Sequence, residues 1–324
     1  MSEIPSIAVL CGGVGAAKFL RGLVQVVPAS TITAIVNVAD DMVIHGLHVS
    51  PDIDTVTYTL ADEIDPERGW GLRNETWQAM DAISRYGDGD WFSLGDRDLG
   101  THLHRTQRLS EGASLTEVTR EITTSWGVAV DIVPISDDPI STRVTVADHA
   151  SEISFQEYFV GRRHDVDISG LRFAGIENAS LTKASSTALA TADIVIIAPS
   201  NPLVSIGPLL AMGECASTLT SRSNVTIAIS PIVGGSALKG PAARMLLELG
   251  HDVSALGVAR IYEDVADIMI IDDVDAPLAS AVARTGCVPF VTDTIMSDIP
   301  RAETLARAAI STANLSTRRP SGWS

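Results

Sequence analysis

The sequence predicts a doubly wound, Rossmann-like α/β fold built on a parallel sheet. The first observation is a series of short apolar runs rich in β-branched residues, which are typical of parallel strands covered on both faces. The second is the helical pattern of the stretches between these runs, because alternating strands and helices favour a parallel sheet. The third is a glycine cluster from Gly12 to Gly15, directly after the first run, where such folds turn from strand into helix.

Seven runs along the chain have the character of sheet strands. They are short, nearly continuous in apolar residues and bounded by polar or glycine residues. They span residues 7–11, 33–38, 129–135, 193–198, 225–230, 268–271 and 288–291.

Two regions depart from this pattern and predict inserts. Residues 64–122 are mostly helical in pattern, so we expect a mostly helical insert there. Residues 142–146 and 153–159 alternate apolar and polar side chains, which indicates antiparallel strands in a small insert near 140–165.

Length and composition limit the domain organisation and the class of protein. We expect a single α/β domain over residues 1–314 and a flexible tail over residues 315–324, where Ser, Pro, Arg and Gly occur without periodicity. No apolar run is long enough to span a membrane, which predicts no membrane partner. The three widely spaced cysteines favour buried thiols in a reducing compartment, and hence a cytoplasmic protein.

The net charge of −17 argues against a nucleic-acid partner, because no basic patch exists to neutralise a phosphate backbone. An anionic ligand must therefore be held by local hydrogen-bond donors or through a divalent cation.

The glycine turn is the first candidate site. Gly12, Gly13 and Gly15 lack the Cβ atoms that would keep a ligand from the backbone, and the first helical turn presents N–H groups to an anion. Lys18 follows on the same helix. We expect a nucleotide or phosphorylated ligand here; the alternative is a tight strand-to-helix turn without a ligand, because the dinucleotide and P-loop spacings are both incomplete.

The second candidate site is the acidic loop after the second strand. Asp40, Asp41, Asp52 and Asp54 lie within fifteen residues, and carboxylates are costly to hold together without a cation or donors. Mg²⁺ accepts such oxygens together with ligand phosphates. The alternative is a solvated acidic loop whose aspartates cap helices.

Three further loops supply polar groups without a nucleophile or an acid–base pair. Asp96 and Arg97 lie in a glycine-framed loop that indicates either a ligand loop or a salt-bridged turn. Ser200 and Asn201 follow the run 193–198 and can donate to a phosphate or a base. Gly234 lies in another glycine turn after the run 225–230. Such a set binds phosphate and positions substrates.

These segments occur together in an order that resembles one family. The segments concerned are GGVGAAKFLRGL, VNVADDMVIHGLHVSPDIDTVTYTLA, DPERGWGLRNETW, LGDRDLGTHLHRTQRLSEGASLTEVT, PISDDPISTRV, FQEYFVGRR, APSNPLVSIGPLL and SPIVGGSALKGPA. They cover most of residues 7–300, and the chain resembles the 2-phospho-L-lactate transferase family of coenzyme F-420 biosynthesis.

The resemblance implies a reaction. Such enzymes use a guanosine diphosphate adduct of lactate, or in some members of enolpyruvate, together with the deazaflavin Fo. The terminal ribityl hydroxyl of Fo attacks the phosphorus that bears the three-carbon acid, GMP leaves and a phosphodiester forms. Members of the family are homodimers.

The resemblance also implies residue roles. Asp41 and Asp54 would hold Mg²⁺, and Asp54 together with Ser93 would contact the deazaflavin. The guanine nucleotide would lie over Gly12 to Gly15, with Ser200 and Asn201 nearby. In addition, Arg97 is expected to steer the anionic donor as one of the few cations near it, so the expected catalytic group is Asp54, Asp41 and Arg97.

Two alternatives come from other classes of protein. An NAD-dependent oxidoreductase would place one acidic residue, here Asp40, on a ribose hydroxyl. A sugar-nucleotide-binding regulator would share the glycine turn and the sheet without turning over a substrate. The pair Asp52 and Asp54 and the run 95–98 favour the transferase.

Overall fold

The computed structural model describes residues 4–87, 91–148 and 151–313. Its strands are β1 Ile7–Cys11, β2 Ile32–Val36, β3 Met42–Ile44, β4 Leu47–Val49, β5 Asp131–Pro134, β6 Ser141–Val146, β7 Glu152–Ser154, β8 Ile168–Ala174, β9 Ile194–Ile197, β10 Val225–Ile229, β11 Ile232–Val233, β12 Ser236–Ala237, β13 Ile268–Ile271 and β14 Val288–Val291. Its α-helices are α1 Gly13–Leu23, α2 Pro51–Leu60, α3 Gln78–Ile83, α4 Asp98–Ser110, α5 Leu115–Ser125, α6 Lys183–Thr191, α7 Gly207–Ala211, α8 Gly213–Ser221, α9 Ala242–Glu248, α10 Ala255–Ile261, α11 Ala279–Ala283 and α12 Ile299–Thr312.

The main sheet confirms the predicted fold class. Over the described residues it has seven strands in the order β14-β13-β10-β9-β1-β2-β5, and all its pairings are parallel. Each of the seven apolar runs forms one of these strands. The chain runs outward from β1 through β2 to β5 and then returns to β9 on the other side of β1. The strand order therefore reverses between β1 and β9, which is the switch point at which doubly wound sheets bind ligands.

Burial explains why the apolar runs were so clear. Every residue of β1, β9, β10 and β13 is buried, because helices cover both faces of the sheet. Helix α1 packs against α2 and α12. The three cysteines are buried and free, in agreement with the predicted buried thiols.

The antiparallel insert is confirmed in kind and differs in detail. Strand β6 pairs antiparallel with β7 and with β8. Strand β8 was not predicted. Residues 155–159 are not a strand, because the chain turns into a π-helical segment, Glu157–Gly161. Phe155 and Tyr158 are both buried. Their spacing of three residues places both on one face of a helical turn, so the apparent alternation was misleading.

The helical insert is confirmed where its amphipathic segments lie, in α3, α4 and α5. Helix α5 begins with a capping box in which Ser114 and Glu117 satisfy each other's backbone N–H groups. The tail predicted for residues 315–324 lies outside the described residues. None of the helices in the described ranges combines the length and the hydropathy needed to cross a bilayer.

Candidate active site

A cavity of about 520 Å³ opens at the carboxyl ends of the central strands. It is lined by the turns after β1, β9 and β10, by α2 and α4, and by the segments 68–71, 92–94 and 155–160. Because the turns after β1 and β9 flank the switch point, the cavity lies where the strand order predicts a ligand.

The glycine turn is packed closely by the protein's own groups. A Cβ at Gly12 would lie 2.5 Å from Asp52 Oδ2, and one at Gly15 would lie 2.2 Å from the carbonyl oxygen of Pro199. Gly13 has φ +70°, a conformation that favours glycine. The glycines therefore allow α1 to approach its neighbours, and the contact with a ligand that we predict for them stays a prediction.

Ser200 joins the two sides of the switch point. Its Oγ donates to the carbonyl oxygen of Gly12 at 2.8 Å and accepts from the backbone N–H of Gly12 at 3.4 Å. Ser200 is buried and lies behind the cavity wall, so its visible role is to connect the turn after β9 to the turn after β1.

Asp52 lies at the start of α2, against the N-terminus of α1. Its Oδ2 accepts from Asn37 Nδ2 at 2.9 Å, and the backbone N–H of Gly13 also hydrogen-bonds to this carboxyl. Burial raises the pKa of Asp52 to about 6, although both hydrogen bonds act in the opposite direction.

Asp40 is buried and Asp41 half-buried beside Asp52, and within the described residues neither makes an ion pair at contact distance. Burial raises the pKa of both carboxyls well above the usual range, and repulsion from Asp52 adds to the effect. Asp41 Oδ2 accepts from Ser50 Oγ at 2.6 Å. The Oδ1 atoms of Asp40 and Asp41 are buried without a hydrogen-bond partner.

Asp54 lies in a network of charged side chains between α2 and α4, where it is paired with a cation. Arg105, which is completely buried, donates from Nη1 to Asp54 Oδ2 at 3.1 Å and from Nη2 to Asp54 Oδ1. His102 Nδ1 lies 3.3 Å from Arg105 Nη1, and its Nε2 lies 3.4 Å from Asp98 Oδ2. Tyr58 donates to Asp98 Oδ1. Burial raises the pKa of Asp98, but the hydrogen bonds from His102 and Tyr58 outweigh it and lower the pKa overall.

One wall of the cavity is aromatic. Phe92, Phe155 and Phe159 line it, and the rings of Phe155 and Phe159 are parallel with centroids 5.6 Å apart. At the rim, the guanidinium of Arg68 lies 5.3 Å from the ring centroid of Trp70. This wall offers planar surfaces to a planar ligand.

Comparison with known proteins decides the family. The model of the family described as 2-phospho-L-lactate transferase CofD matches residues 7–311. The chain belongs to this family. The resemblance seen in the sequence is thereby confirmed, and the chain is an enzyme of the transferase class.

Individual relatives of this CofD-family chain carry two names. The protein named 2-phospho-L-lactate transferase from Methanosarcina mazei is 34% identical over 302 residues, which is 93% of this chain and 98% of that one. The protein named phosphoenolpyruvate transferase from Mycobacterium avium is 41% identical over 280 residues, 79% of this chain and 83% of that one. Neither name is that of an oxidoreductase or of a regulator.

A solved structure of a UPF0052-family protein from Bacillus halodurans has the same fold. It superposes with a TM-score of 0.67 at 15% sequence identity and covers 96% of this chain and 100% of that one. At this identity the likeness concerns the fold alone.

The structure brings many of the predicted site residues to the cavity. Those that line it are Gly12, Gly13, Gly15, Lys18, Asp54, Ser93 and Asn201. The structure places the other predicted residues away from the lining; these are Asp41, Asp96, Arg97, Ser200 and Gly234.

The loop that holds Asp96 and Arg97 has a structural explanation. Asp96 accepts from the backbone N–H groups of Gln78 and Ala79, at the start of α3. Arg97 donates to the carbonyl oxygen of Arg73 and lies 3.3 Å from Glu63. These contacts correspond to the salt-bridged turn that the sequence left open.

Sequence reasoning missed several cavity residues. Tyr58 was not singled out, whereas Asp98 and His102 lie in the glycine-framed loop and Lys239 near the glycine turn at Gly234, and none of these three was assigned a role of its own. The spacing of four residues between Asp98 and His102 within a helical pattern was an available signal, because such residues share one helix face. Nothing local signals Arg105, which meets Asp54 across 51 residues of chain.

The residues that fit Mg²⁺ are not the predicted pair, Asp41 and Asp54. Within the described ranges, no three His, Cys, Asp or Glu side chains are grouped closely enough to hold a metal ion by themselves. Asp54 is engaged by Arg105, and Asp41 does not line the cavity. Asp40 and Asp52 do line it, and Asp40 Oδ1 is buried without a donor. Since Mg²⁺ is usually bound by one or two carboxylates plus substrate phosphates, Asp40 and Asp52 fit it better.

Proposed function

We propose that this chain transfers a phospholactyl or phosphoenolpyruvyl group from its guanosine diphosphate adduct to the ribityl hydroxyl of Fo. The transfer releases GMP and forms the phosphodiester of coenzyme F-420-0 or of its dehydro form. The observation that carries the proposal is the family match over residues 7–311 together with a cavity at the switch point of the sheet.

The shape of the cavity supports a reaction between two large substrates. The N-terminus of α1 offers N–H groups to a diphosphate, and the aromatic wall offers surfaces to the planar rings of Fo or guanine. Phosphoryl-type transfer needs positioning and charge neutralisation more than covalent help, and the described cavity supplies groups of both kinds.

The chain's own residues have distinct roles in this proposal. Asp54, fixed by Arg105, accepts a hydrogen bond from the attacking hydroxyl and aims it at phosphorus. Ser93 borders the acceptor. The α1 N-terminus and Lys18 hold the diphosphate, and Asn201 contacts the nucleotide.

A divalent cation would complete the charge balance. We propose that Asp40 and Asp52 hold Mg²⁺ together with the donor's phosphates. Bound there, the ion would neutralise charge on the transferring phosphoryl group. The homodimer remains a prediction from the family resemblance, and the cytoplasmic location and the lack of nucleic-acid partners remain predictions from the sequence.

The experiment is a product assay by mass spectrometry. Purified protein is incubated with Fo, GTP, Mg²⁺, a guanylyltransferase that forms the donor, and either 2-phospho-L-lactate or phosphoenolpyruvate. We expect the Fo phosphodiester and GMP in equal amounts with at least one of the two acids. Formation of the donor without any Fo phosphodiester, in a folded preparation, would contradict the proposal.

A further inference from the structure

Lysine is rare in this chain, and two of the three lysines line one cavity. The sequence has 23 basic residues, of which only Lys18, Lys183 and Lys239 are lysines. Lys18, which is half-buried, and Lys239, which is exposed, both line the cavity, whereas Lys183 is the exposed first residue of α6 and does not line it. The two cavity lysines come from separate parts of the fold, α1 and the segment that follows β12.

The two cavity lysines have no anionic partner in the described part of the protein. Ion pairs within 4 Å there involve Arg or His side chains as the cation, and no lysine. Lys18 Nζ donates to the carbonyl oxygen of Met296 at 3.5 Å, which does not neutralise its charge. Neither ammonium group is therefore paired with a carboxylate at contact distance within the described residues, although the net charge of the protein is −17.

The ammonium groups also influence each other. Burial lowers the pKa of Lys18, and repulsion from Lys239 lowers it further. Two like charges near a half-enclosed cavity favour an anion that contacts both.

The rim geometry brings Lys239 towards the glycine turn. Its Nζ lies 3.3 Å from the position that a Cβ on Gly69 would occupy, and the side chain of Val14 lies 3.5 Å from that same position. Three elements thus converge at Lys239: the first turn of α1, the segment 68–71 and the segment after β12. The ammonium of Lys239 therefore lies close to the ligand that we expect at the N-terminus of α1.

We propose that Lys18 and Lys239 form one binding site for the two phosphate groups of a diphosphate. Lysine suits this task because its ammonium is a compact charge with three rotatable donors. A diphosphate can place one phosphate group against each ammonium, whereas orthophosphate has a single group and less negative charge to share between them. Lys239 is therefore the residue that discriminates a diphosphate from a monophosphate.

The site has a consequence that rests on the proposed function. If the diphosphate is that of the guanosine adduct, transfer leaves GMP with a single phosphate group and breaks the double contact. The loss of one ammonium contact then favours release of GMP over rebinding.

The first test measures binding of inorganic pyrophosphate and orthophosphate by calorimetry at fixed ionic strength, without any turnover. We expect Lys239→Gln to weaken pyrophosphate binding about ten- to a hundredfold, the effect of one charge-assisted hydrogen bond. Orthophosphate binding should change less, so the selectivity between the two anions should shrink. Lys183→Gln is the matched control and should bind both anions as the wild type does.

A pyrophosphate affinity for Lys239→Gln within twofold of the wild type would overturn the proposal. So would an equal loss in Lys183→Gln, because it would indicate general charge attraction. Neither result depends on transfer: a chain that fails the Fo assay can still pass this test, and an active transferase can fail it.

The second test uses the scarcity of lysine. Reductive methylation with ¹³C-formaldehyde labels the three lysines and any free N-terminal amine, and variants assign the three lysine NMR signals. We expect pyrophosphate to shift the signals of Lys18 and Lys239 and to leave that of Lys183 in place. Movement of the Lys18 signal alone, at saturating pyrophosphate, would show a single-lysine site and overturn the pair.

Discussion

Asp52 and Asp54 lie two residues apart in the first turn of α2, and the fold treats their charges in opposite ways. Asp54 meets the buried guanidinium of Arg105, so its charge is paired. Asp52 is buried beside Asp40 and has only neutral donors, so its charge is opposed by burial and by its neighbour. A buried ion pair already has its charges balanced, whereas buried carboxylates without a cationic partner are costly and would be stabilised by binding a cation.

The difference teaches that acidic residues in one loop cannot be assigned a shared role. The family resemblance implied that Asp41 and Asp54 together hold the metal ion. The structure instead pairs Asp54 with a cation from the chain and leaves Asp40 and Asp52 facing the cavity. The predictions below test this division, beginning with the largest expected effect.

The largest effect should come from Arg105→Met, which strands the carboxylate of Asp54 in the interior. Removing one partner of a buried pair costs about 3–5 kcal/mol, because a buried charge is left uncompensated. Urea unfolding followed by circular dichroism measures the loss. The double variant Asp54→Asn with Arg105→Met should recover part of it.

Arg108 on the same helix provides the control for Arg105. Its partners Glu111 and Glu121 are partly exposed, so Arg108→Met should leave the urea midpoint nearly unchanged. Equal losses in Arg105→Met and Arg108→Met would contradict the division between paired interior and solvent-facing charges.

Asp52→Asn should change the free energy of unfolding in the opposite direction and stabilise the protein at neutral pH. The native pKa of about 6 lies above the ordinary value of 3.8, so the native state holds this proton more tightly than the unfolded chain. Protonated Asp52 therefore stabilises the native state fully at pH below 3.8, and this stabilisation is lost as the pH rises to about 6. The change amounts to up to about 3 kcal/mol.

Stability curves of the two proteins from pH 4 to pH 7 check this sign. The wild type should lose stability relative to Asp52→Asn across that range and then run parallel to it. A gap that is constant with pH would show that Asp52 is ionised equally in both states.

Gly15→Ala should destabilise by about 1–3 kcal/mol, because the new Cβ would overlap the carbonyl oxygen of Pro199 and force α1 from the turn after β9. Nucleotide affinity should fall with it. Gly100→Ala in α4 is the matched control: its Cβ meets nothing within 4 Å, so it should stabilise by about 0.5–1 kcal/mol. Thermal melts of both variants suffice, and equal shifts would exclude the steric explanation.

Mg²⁺ should stabilise the wild type at pH 7 by about 1.4 kcal/mol at a concentration ten times its dissociation constant. Asp52→Asn should lose most of this gain, whereas Arg97→Ala should keep it. Melting temperatures with and without Mg²⁺ provide the measurement. An undiminished gain in Asp52→Asn would remove Asp52 from the cation site.

The smallest effect is expected for Arg97→Ala. The guanidinium is partly exposed and bonds to Arg73 and Glu63 outside the cavity lining, so the cost should be about 0–1 kcal/mol. The KM for the donor should stay within about twofold of the wild type. A large rise in that KM alone would restore the steering role that the sequence indicated.

The sheet was predictable because burial on both faces imposes continuous apolar runs. Strands β1, β9, β10 and β13 are wholly buried and were evident. Strand β8 is mostly half-exposed, so its residues carry no such pattern. The π-helical segment at Glu157–Gly161 was missed because Ile153, Phe155 and Phe159 occur at even spacing, which also fits one face of a strand.

The site was predictable where it depends on the ends of strands. Gly12, Lys18 and Asn201 follow apolar runs and do line the cavity. The partner of Asp54 was not predictable, because Arg105 comes from another helix and arginine is rarely fully buried. Pairing across such distances leaves no local pattern in a single sequence.

The hydroxyl of Ser200 holds the backbone of Gly12 by both its N–H and its carbonyl oxygen. At the floor of the cavity, this side chain therefore connects the turn after β9 to the turn after β1, and so links the two halves of the sheet. Because β1 and β9 are also paired directly in the sheet, we expect substrates to enter over the rim, at the segments near Trp70 and Lys239. The rate of product exchange should thus follow the motion of those two segments and be insensitive to the stiffness of the sheet beneath them.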